Sequence, residues 1–177
     1  NAPELAQRAE AAGIHMITIH GRTRCQFYKG SANWVAIRNV KEAVSIPVIA
    51  NGDIVDATSA REALDQSGAD GVMMGRGVQG APWTLAQVAA EVFGGQAPEV
   101  PSGSGFIDMV SKHYEAMLAF YGSILGVRVA RKHLGWYMDH VNTPKVIRNQ
   151  VLTAKTEREV LALLPAALTE SEERSAA

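Results

Sequence analysis

Residues 46–53 read Ile-Pro-Val-Ile-Ala-Asn-Gly-Asp, and this stretch decides the fold class. A short apolar run of strand length ends there in a polar turn, and Asp56 then opens a helical pattern that Gly68 can close. The same order of strand, turn and helix recurs around residues 14–21 and 71–77. Because neighbouring parallel strands need a helical crossover between them, the pattern predicts parallel βα units.

Three such units fit into the first half of the chain, and only helical periodicity follows them. The predicted strands are 14–19, 46–50 and 71–74, with helices at 1–12, 31–44, 56–67 and 82–92. Further helices are expected at 107–121 and 127–141, then from residue 143 and from residue 156. The fold class is therefore α/β plus all-α.

A stretch rich in Gly, Pro and Ser at 96–105 predicts a linker between two domains. The first domain, 1–95, holds the three βα units. The second, 106–168, is expected to be a small helical bundle, and the polar tail at 169–177 is expected to be flexible.

The chain has 177 residues, with 17 Lys and Arg against 18 Asp and Glu, a net charge of −1 and 47% hydrophobic residues. This composition is typical of a globular protein and excludes disordered, collagen-like and wholly basic classes. One cysteine excludes an intrachain disulfide and a Cys-rich zinc site, so we expect no metal site and a cytoplasmic location. The apolar run 160–168 is too short to span a membrane, and no membrane association is expected.

Polar residues and glycines follow each predicted strand directly. In a parallel sheet such positions converge on the carboxyl edge, where ligands bind. A glycine there lets a phosphate approach the backbone amides, and an arginine adds a bidentate cation. Asn-Gly is also an ordinary turn, and an arginine after a strand is often only solvated. Six residues have this placement: His20, Asn51, Gly52, Asp53, Gly75 and Arg76.

The loop after the first predicted strand is electropositive. It contains Arg22 and Arg24, which suit an anionic ligand or simply keep the loop soluble. Cys25 lies in the same loop, but no catalytic arrangement with a histidine is legible around it. We therefore interpret this thiol as incidental.

The second domain carries a basic stripe on one predicted helix. Arg128, Arg131 and Lys132 fall at helical spacing opposite an apolar face. Between residues 105 and 158 eight basic residues stand against four acidic ones, which suits RNA phosphates as well as an ordinary solvated surface. Trp136, beside the apolar face, is more typical of the core than of a stacking platform.

Four stretches together resemble a known family. They are Thr-Ile-His-Gly-Arg-Thr-Arg at 18–24, Pro-Val-Ile-Ala-Asn-Gly-Asp-Ile at 47–54, Gly-Val-Met-Met-Gly-Arg-Gly at 71–77, and Ala-Arg-Lys-His with Trp-Tyr between 130 and 137. In this order and spacing they resemble tRNA-dihydrouridine synthases, most closely the bacterial B type. The resemblance extends to about Leu168.

The resemblance implies a fold and an activity. Such enzymes have an FMN-binding (β/α)₈ or TIM barrel followed by a helical domain that helps to hold tRNA. NADPH reduces the flavin, hydride passes to a D-loop uridine of tRNA, and a cysteine acid completes 5,6-dihydrouridine. The flavin supplies the redox chemistry and the protein supplies positioning and electrostatics.

Residue roles follow from the same resemblance. The six residues at the sheet edge, from His20 to Arg76, match the family's flavin-binding positions, and the barrel's phosphate site lies in the last loops. Residues expected to face tRNA are Arg22, Arg128, Arg131 and Lys132.

The resemblance also implies that this chain is a C-terminal fragment that starts at Asn1, because a complete (β/α)₈ barrel needs about 250 residues. The family's catalytic cysteine and a flavin-contacting lysine would lie upstream, and Cys25 does not match that cysteine. We expect the chain to hold no catalytic residue, to lack reductase activity alone and to self-associate through exposed barrel edges. Alternatives are another FMN-dependent barrel dehydrogenase of a small pyrimidine and a non-enzymatic RNA-binding module.

Overall fold

The computed structural model describes residues 1–169, so the predicted tail beyond Thr169 lies outside the described residues. The chain divides into two compact units. The sheet unit comprises residues 1–78 and 83–98. The helical unit comprises residues 79–82 and the chain from residue 99 onward.

The sheet unit alternates strands and helices. Its strands are β1 (Ile17–His20), β2 (Val48–Asn51) and β3 (Gly71–Met73). Its helices are α1 (Ala2–Ala11), α2 (Val35–Lys41), α3 (Ala57–Ser67) and α4 (Thr84–Phe93), with a short 3₁₀ turn at Arg76–Val78. The alternation predicted from the sequence is confirmed.

The three strands form one parallel sheet in the order β1-β2-β3. His20 pairs with Asn51 and Asn51 with Met73, so the carboxyl ends of all three strands lie level. β1 starts three residues later than predicted, because the ladder begins where the Ile17 amide donates to the Pro47 carbonyl. Met16, 56% exposed, continues the apolar pattern without pairing.

Helix α3 begins and ends at the capping residues that the sequence predicts. The Asp56 carboxylate accepts a hydrogen bond from the Ser59 amide, and the Ser59 hydroxyl accepts from the Asp56 amide. Gly68 ends the helix at φ 64°, in the left-handed region that glycine adopts without strain. Both signals are local, and both are confirmed.

Helix α2 begins at Val35, four residues later than predicted. The preceding residues make tertiary contacts: the Ala32 amide donates to the Asp53 carboxylate, and the Asn33 amide donates to the Gly21 carbonyl. The Asn33 side chain then accepts a hydrogen bond from the Ala36 amide in the first turn of the helix. Helical periodicity does not predict these contacts, because the partners are distant in sequence.

Helices α2 and α3 pack against the sheet, α1 packs against α2 and α4 against α3, and two apolar clusters are buried in this unit. One is formed by Ile37, Val48 and Ala50, each at most 1% exposed. The other surrounds Ile54 and the alanines of α3, with Val88 of α4. The clusters fix α2 to α4 and thereby the loops between helices and strands.

The helical unit contains α5 (Gly103–His140), α6 (Lys145–Thr153) and α7 (Glu157–Leu168). Gly122, at φ 75° and ψ 160°, interrupts α5, and a Cβ on Gly126 would lie 2.9 Å from the Leu118 Cα. The chain therefore folds back at Gly122 into two arms, which match the two helices predicted at 107–121 and 127–141. Helix α7 packs against α5 and α6, while the small helical bundle as a domain stays a prediction.

The linker differs from its prediction at one end. Helix α5 begins at Gly103, inside the stretch 96–105 that composition assigned to a loop. Gly and Ser disfavour helix interiors but are tolerated in a first turn, so composition alone misplaced this boundary. No helix within residues 1–169 is long and apolar enough to cross a membrane.

Candidate functional site

Three loops converge at the carboxyl edge of the sheet. Because the strands are parallel and level, the loops after β1, β2 and β3 begin side by side. The Asn51 side-chain amide donates to the Met73 carbonyl at 2.7 Å, which ties the second loop to the end of β3. The convergence predicted from the sequence is present.

Asp53 is the centre of this edge. Arg22 donates from Nη1 to Asp53 Oδ1 at 2.8 Å and from Nη2 to Oδ2 at 2.6 Å, a bidentate pair. The Ala32 amide adds a bond of 2.7 Å to Oδ2. Arg76 approaches Oδ1 at 3.8 Å. One carboxylate thus links residues that follow all three strands.

The Asp53 carboxylate is held ionised by this environment. Hydrogen bonding from Arg22 is the largest cause that lowers its pKa below the usual range, and the Ala32 amide and the charges of Arg22 and Arg76 act in the same direction. Burial alone would raise the pKa, but it is outweighed. The carboxylate is therefore a stable acceptor at neutral pH.

Arg22 lies inside the loop, and its side chain is only 5% exposed. Besides Asp53, its guanidinium donates to the Gly30 carbonyl at 2.6 Å and to the Lys29 carbonyl at 3.3 Å. All of its nitrogens are thus engaged with the protein. These contacts give Arg22 a positioning role at the sheet edge, and the expected tRNA contact of this residue stays a prediction.

Gly52 and His20 pack against each other. Gly52 has φ 113°, and a Cβ there would lie 2.9 Å from His20 Cε1, so glycine is required. His20 Nδ1 accepts the Arg22 amide at 3.1 Å, which places the N–H of a neutral ring on Nε2. Trp34 Nε1 donates to the Gly52 carbonyl at 2.9 Å. The histidine ring is therefore oriented by its own loop.

The loop after β3 presents an open backbone and an accessible cation. A Cβ on Gly75 would meet no atom within 4 Å, so the space above this residue is free. The Arg76 side chain is 61% exposed, and its guanidinium lies 5.0 Å from the Tyr28 ring centroid. Unlike Arg22, Arg76 remains available to an anionic ligand.

Sequence reasoning gave no role to several residues of this edge. A Cβ on Gly77 would lie 2.6 Å from the Ile54 carbonyl oxygen, so this glycine lets the loops after β2 and β3 touch. The Tyr28 ring lies beside the Arg76 guanidinium, and the Trp34 indole donates to the Gly52 carbonyl. The second glycine of Gly-Arg-Gly at 75–77 was a usable signal for Gly77, whereas nothing in the sequence indicated the contacts of Tyr28 and Trp34.

A shallow pocket of about 280 Å³ adjoins the first loop. Its lining includes His20, Arg24 and the exposed rings of Phe27 and Tyr28, which stand edge to face at 5.5 Å. Cys25 is exposed and free nearby. Within residues 1–169 no group of three or more His, Cys, Asp or Glu side chains is placed to hold a metal ion.

In the helical unit the three predicted basic residues are exposed on the second arm of α5. Arg128 and Arg131 line one groove. The Lys132 ammonium lies 5.8 Å from the Trp136 ring centroid. Trp136 is half-buried, as its place beside the apolar face predicted.

Comparison with known proteins connects this arrangement to a family. The profile of the family described as "Dihydrouridine synthase (Dus)" matches residues 1–172, nearly the whole chain. The chain belongs to the dihydrouridine synthase family. This confirms the resemblance seen in the sequence motifs.

Several members of the Dus family are closely similar. A "Probable tRNA-dihydrouridine synthase" of Rhodobacter capsulatus is 60% identical over 172 residues, which are 97% of this chain and 52% of that protein. One from Rickettsia conorii is 56% identical over 137 residues, 77% of this chain and 41% of that protein. A "tRNA-dihydrouridine synthase B" of Xanthomonas axonopodis pv. citri is 44% identical over 164 residues, 92% of this chain and 49% of that protein.

The chain spans about half the length of these relatives: 52% of the Rhodobacter capsulatus protein and 41% of the Rickettsia conorii protein. Family membership and the three parallel strands are consistent with part of a (β/α)₈ barrel.

Proposed function

We propose that this chain is part of a flavin-dependent tRNA-dihydrouridine synthase. The whole enzyme would reduce a D-loop uridine of tRNA to 5,6-dihydrouridine with NADPH as reductant and FMN as carrier, in the cytoplasm. The observation that carries the proposal is the carboxyl edge of the sheet, where Asp53 joins three loops and leaves Arg76 exposed beside an open glycine. The similarity to relatives of that printed name supports it.

The residues at this edge fit an FMN phosphate. The space above Gly75 admits a ligand to the backbone, and Arg76 supplies a cation that matches a phosphate in geometry and charge. Asp53 and Arg22 hold the loops, the Arg22 amide orients the His20 ring, and the His20 Nε2–H is a hydrogen-bond donor. FMN, when bound, supplies hydride transfer, while these residues bind and orient it.

The test uses the complete protein and this chain side by side. Each is incubated with FMN, NADPH and an unmodified tRNA transcript, and dihydrouridine is measured by mass spectrometry of the digested RNA. The complete protein is expected to form dihydrouridine and the 177-residue chain alone is not. Reduction of free uracil but not of tRNA would favour a small-pyrimidine dehydrogenase, and a complete protein that binds no flavin would favour a purely RNA-binding module.

We also propose that the isolated chain self-associates through the edges of its sheet. In the described sheet β1 and β3 are the outer strands, and such edges pair readily with other chains. Met16 and Met73, each at least half exposed, lie at those strands.

Arg76→Gln is expected to weaken FMN binding by the complete protein about 10- to 100-fold, because a hydrogen bond to a charged group contributes about 1.5–3 kcal/mol. Arg8 is an exposed arginine of α1, away from the site. Arg8→Gln removes the same charge as Arg76→Gln and is expected to change FMN affinity less than about twofold. Affinity is measured by quenching of FMN fluorescence. Equal affinities of the two variants would exclude Arg76 from the phosphate site.

A further inference from the structure

Two histidines face each other between the two arms of α5. His113 lies on the first arm and His133 on the second, and their ring centroids are 5.3 Å apart with the rings inclined at 73°. Both rings are half-buried. The arms also approach closely nearer the turn, where a Cβ on Gly126 would lie 2.9 Å from the Leu118 Cα. The histidine pair is therefore part of the contact that holds the arms together.

The hydrogen bond of His113 suits a neutral ring. The Tyr137 hydroxyl lies 2.9 Å from His113 Nδ1, and Tyr137 is only 4% exposed. Burial raises the pKa of this phenol, so it keeps its proton and can donate it to an unprotonated imidazole nitrogen. Both nitrogens of a charged imidazole are donors, so a proton on Nδ1 deprives the buried hydroxyl of its acceptor.

No carboxylate lies beside either histidine to balance a charge. Helix neighbours stand three and four residues away, and here all of them are uncharged: Met109, Val110, Ala116 and Met117 around His113, and Val129, Ala130, Trp136 and Tyr137 around His133. The His133 ring stands 5.1 Å from the Trp136 ring, and the Lys132 ammonium lies over that same ring. The surroundings of the pair thus add positive charge.

The elements packed against α5 do not supply a counter-charge either. On α6, Arg148 pairs with Asp139 at 3.0 Å, and on α7 the charge of Glu157 acts on Tyr114. Residues 79–82, which approach Trp136, contain no titratable side chain. Burial lowers the pKa of His113, and the charge of His133 lowers it further. Among the described residues, His133 is the charged group that acts on His113.

A cavity beside the pair gives the arms room to separate. It has a volume of about 330 Å³ and is lined from both arms, by His113, Phe120, Val129 and His133 among others. Phe120 is 81% exposed, so water reaches the cavity at this rim. At Gly122 the helix is already interrupted, with φ 75° and ψ 160°, and a Cβ there would meet nothing within 4 Å. The two arms are therefore joined by a break rather than by continuous helix.

We propose that His113 and His133 form an acid-sensitive switch that holds the arms of α5 together while both rings are neutral and separates them when both are protonated. The sign follows from the environment, which disfavours the charged rings in the folded chain. The unfolded chain then binds more protons, so stability is lost as the pH falls below about 6.5, the ordinary histidine value. The inference goes beyond the proposed function, because it concerns the conformation of the helical unit.

Hydrogen exchange of the complete protein at pH 7.5 and pH 5.0 tests the switch. Exchange is followed by mass spectrometry of peptides and corrected for the intrinsic pH dependence of the amide rate. Peptides within 103–140 are expected to open at least about fourfold more at pH 5.0, because two unit charges 5.3 Å apart repel by about 0.8 kcal/mol even in water. Peptides of α3 are the internal reference and are expected not to change. Unchanged opening in 103–140, or an equal increase in α3, would overturn the proposal.

Three single variants assign the effect, each compared with itself at the two pH values so that any change in basal stability cancels. His113→Gln removes the buried titrating ring and is expected to reduce the acid-induced opening to less than about 1.5-fold. His133→Gln removes the repulsion but leaves the burial of His113, so about twofold opening is expected. His15→Gln removes an exposed histidine of the sheet unit and should behave as the wild type does. If His113→Gln and His133→Gln opened as much as His15→Gln, the pair would not be the switch.

Discussion

Asp53→Ala is expected to lower the free energy of unfolding of the chain by about 3 kcal/mol. The substitution leaves the Arg22 guanidinium, 5% exposed, without the carboxylate that balances its charge, and breaking such a buried pair costs about 3–5 kcal/mol. The value falls at the lower end because Asp53 is 30% exposed and water can partly replace it. The Ala32 amide also loses its acceptor. Urea unfolding followed by circular dichroism measures the change.

Two variants separate this pair from a general effect of charge. Glu62→Ala removes an exposed carboxylate of α3 and is expected to change stability by less than about 0.5 kcal/mol. Asp53→Ala combined with Arg22→Met is expected to recover part of the loss, because the unpaired cation is removed with its partner. If Asp53→Ala behaved like Glu62→Ala, the carboxylate would not be the centre of the site.

The same pair predicts a pH dependence. The pKa of Asp53 is lower in the folded chain than its usual value, so its contribution to stability is complete above about pH 4, the unfolded value, and is lost as the pH falls through the folded pKa. The stability difference between the wild type and Asp53→Asn should therefore be constant from pH 7 to about pH 5 and shrink below pH 4. Other carboxylates with lowered pKa titrate equally in both proteins and cancel. A difference that grew on acidification would contradict this assignment.

The edge of the sheet was predictable because its signals are local. Strand periodicity, the Asp56 cap and the Gly68 stop each depend on a few neighbouring residues, and the parallel arrangement follows from their order. The positioning role of Arg22 was not predictable, because the burial of its side chain depends on how the whole loop folds. The same residue type at Arg76 stays in solvent.

The helical unit shows the same limit. Spacing on one helix groups Arg128, Arg131 and Lys132, yet the groove is lined by the first two together with Lys155 from the turn between α6 and α7. Helical periodicity describes one element, whereas a groove is made by two. By contrast, the break in α5 at Gly122 falls in the gap between the two helices predicted at 107–121 and 127–141, and glycine adopts its φ of 75° without strain.

A second large effect is expected for Gly80→Ala in the helical unit. Gly80 has φ 77°, which L side chains rarely adopt, and a Cβ there would lie 2.4 Å from the Trp136 carbonyl oxygen and 2.9 Å from its carbonyl carbon. Both contacts are with helix backbone, which cannot shift without distorting α5. Strain and clash together are expected to cost at least about 3 kcal/mol of unfolding free energy.

Gly94→Ala is the matched control, because Gly94 has φ 79° and a Cβ there would meet nothing within 4 Å. It carries the backbone strain alone and is expected to cost about 1–2 kcal/mol. The difference between the two variants in urea therefore measures the clash against Trp136, whose fluorescence reports the local environment. If Gly80→Ala were no more destabilising than Gly94→Ala, the close approach of residues 79–82 to α5 would not exist in solution. A larger loss would show that this short segment is held by the helical unit through a contact that only glycine permits.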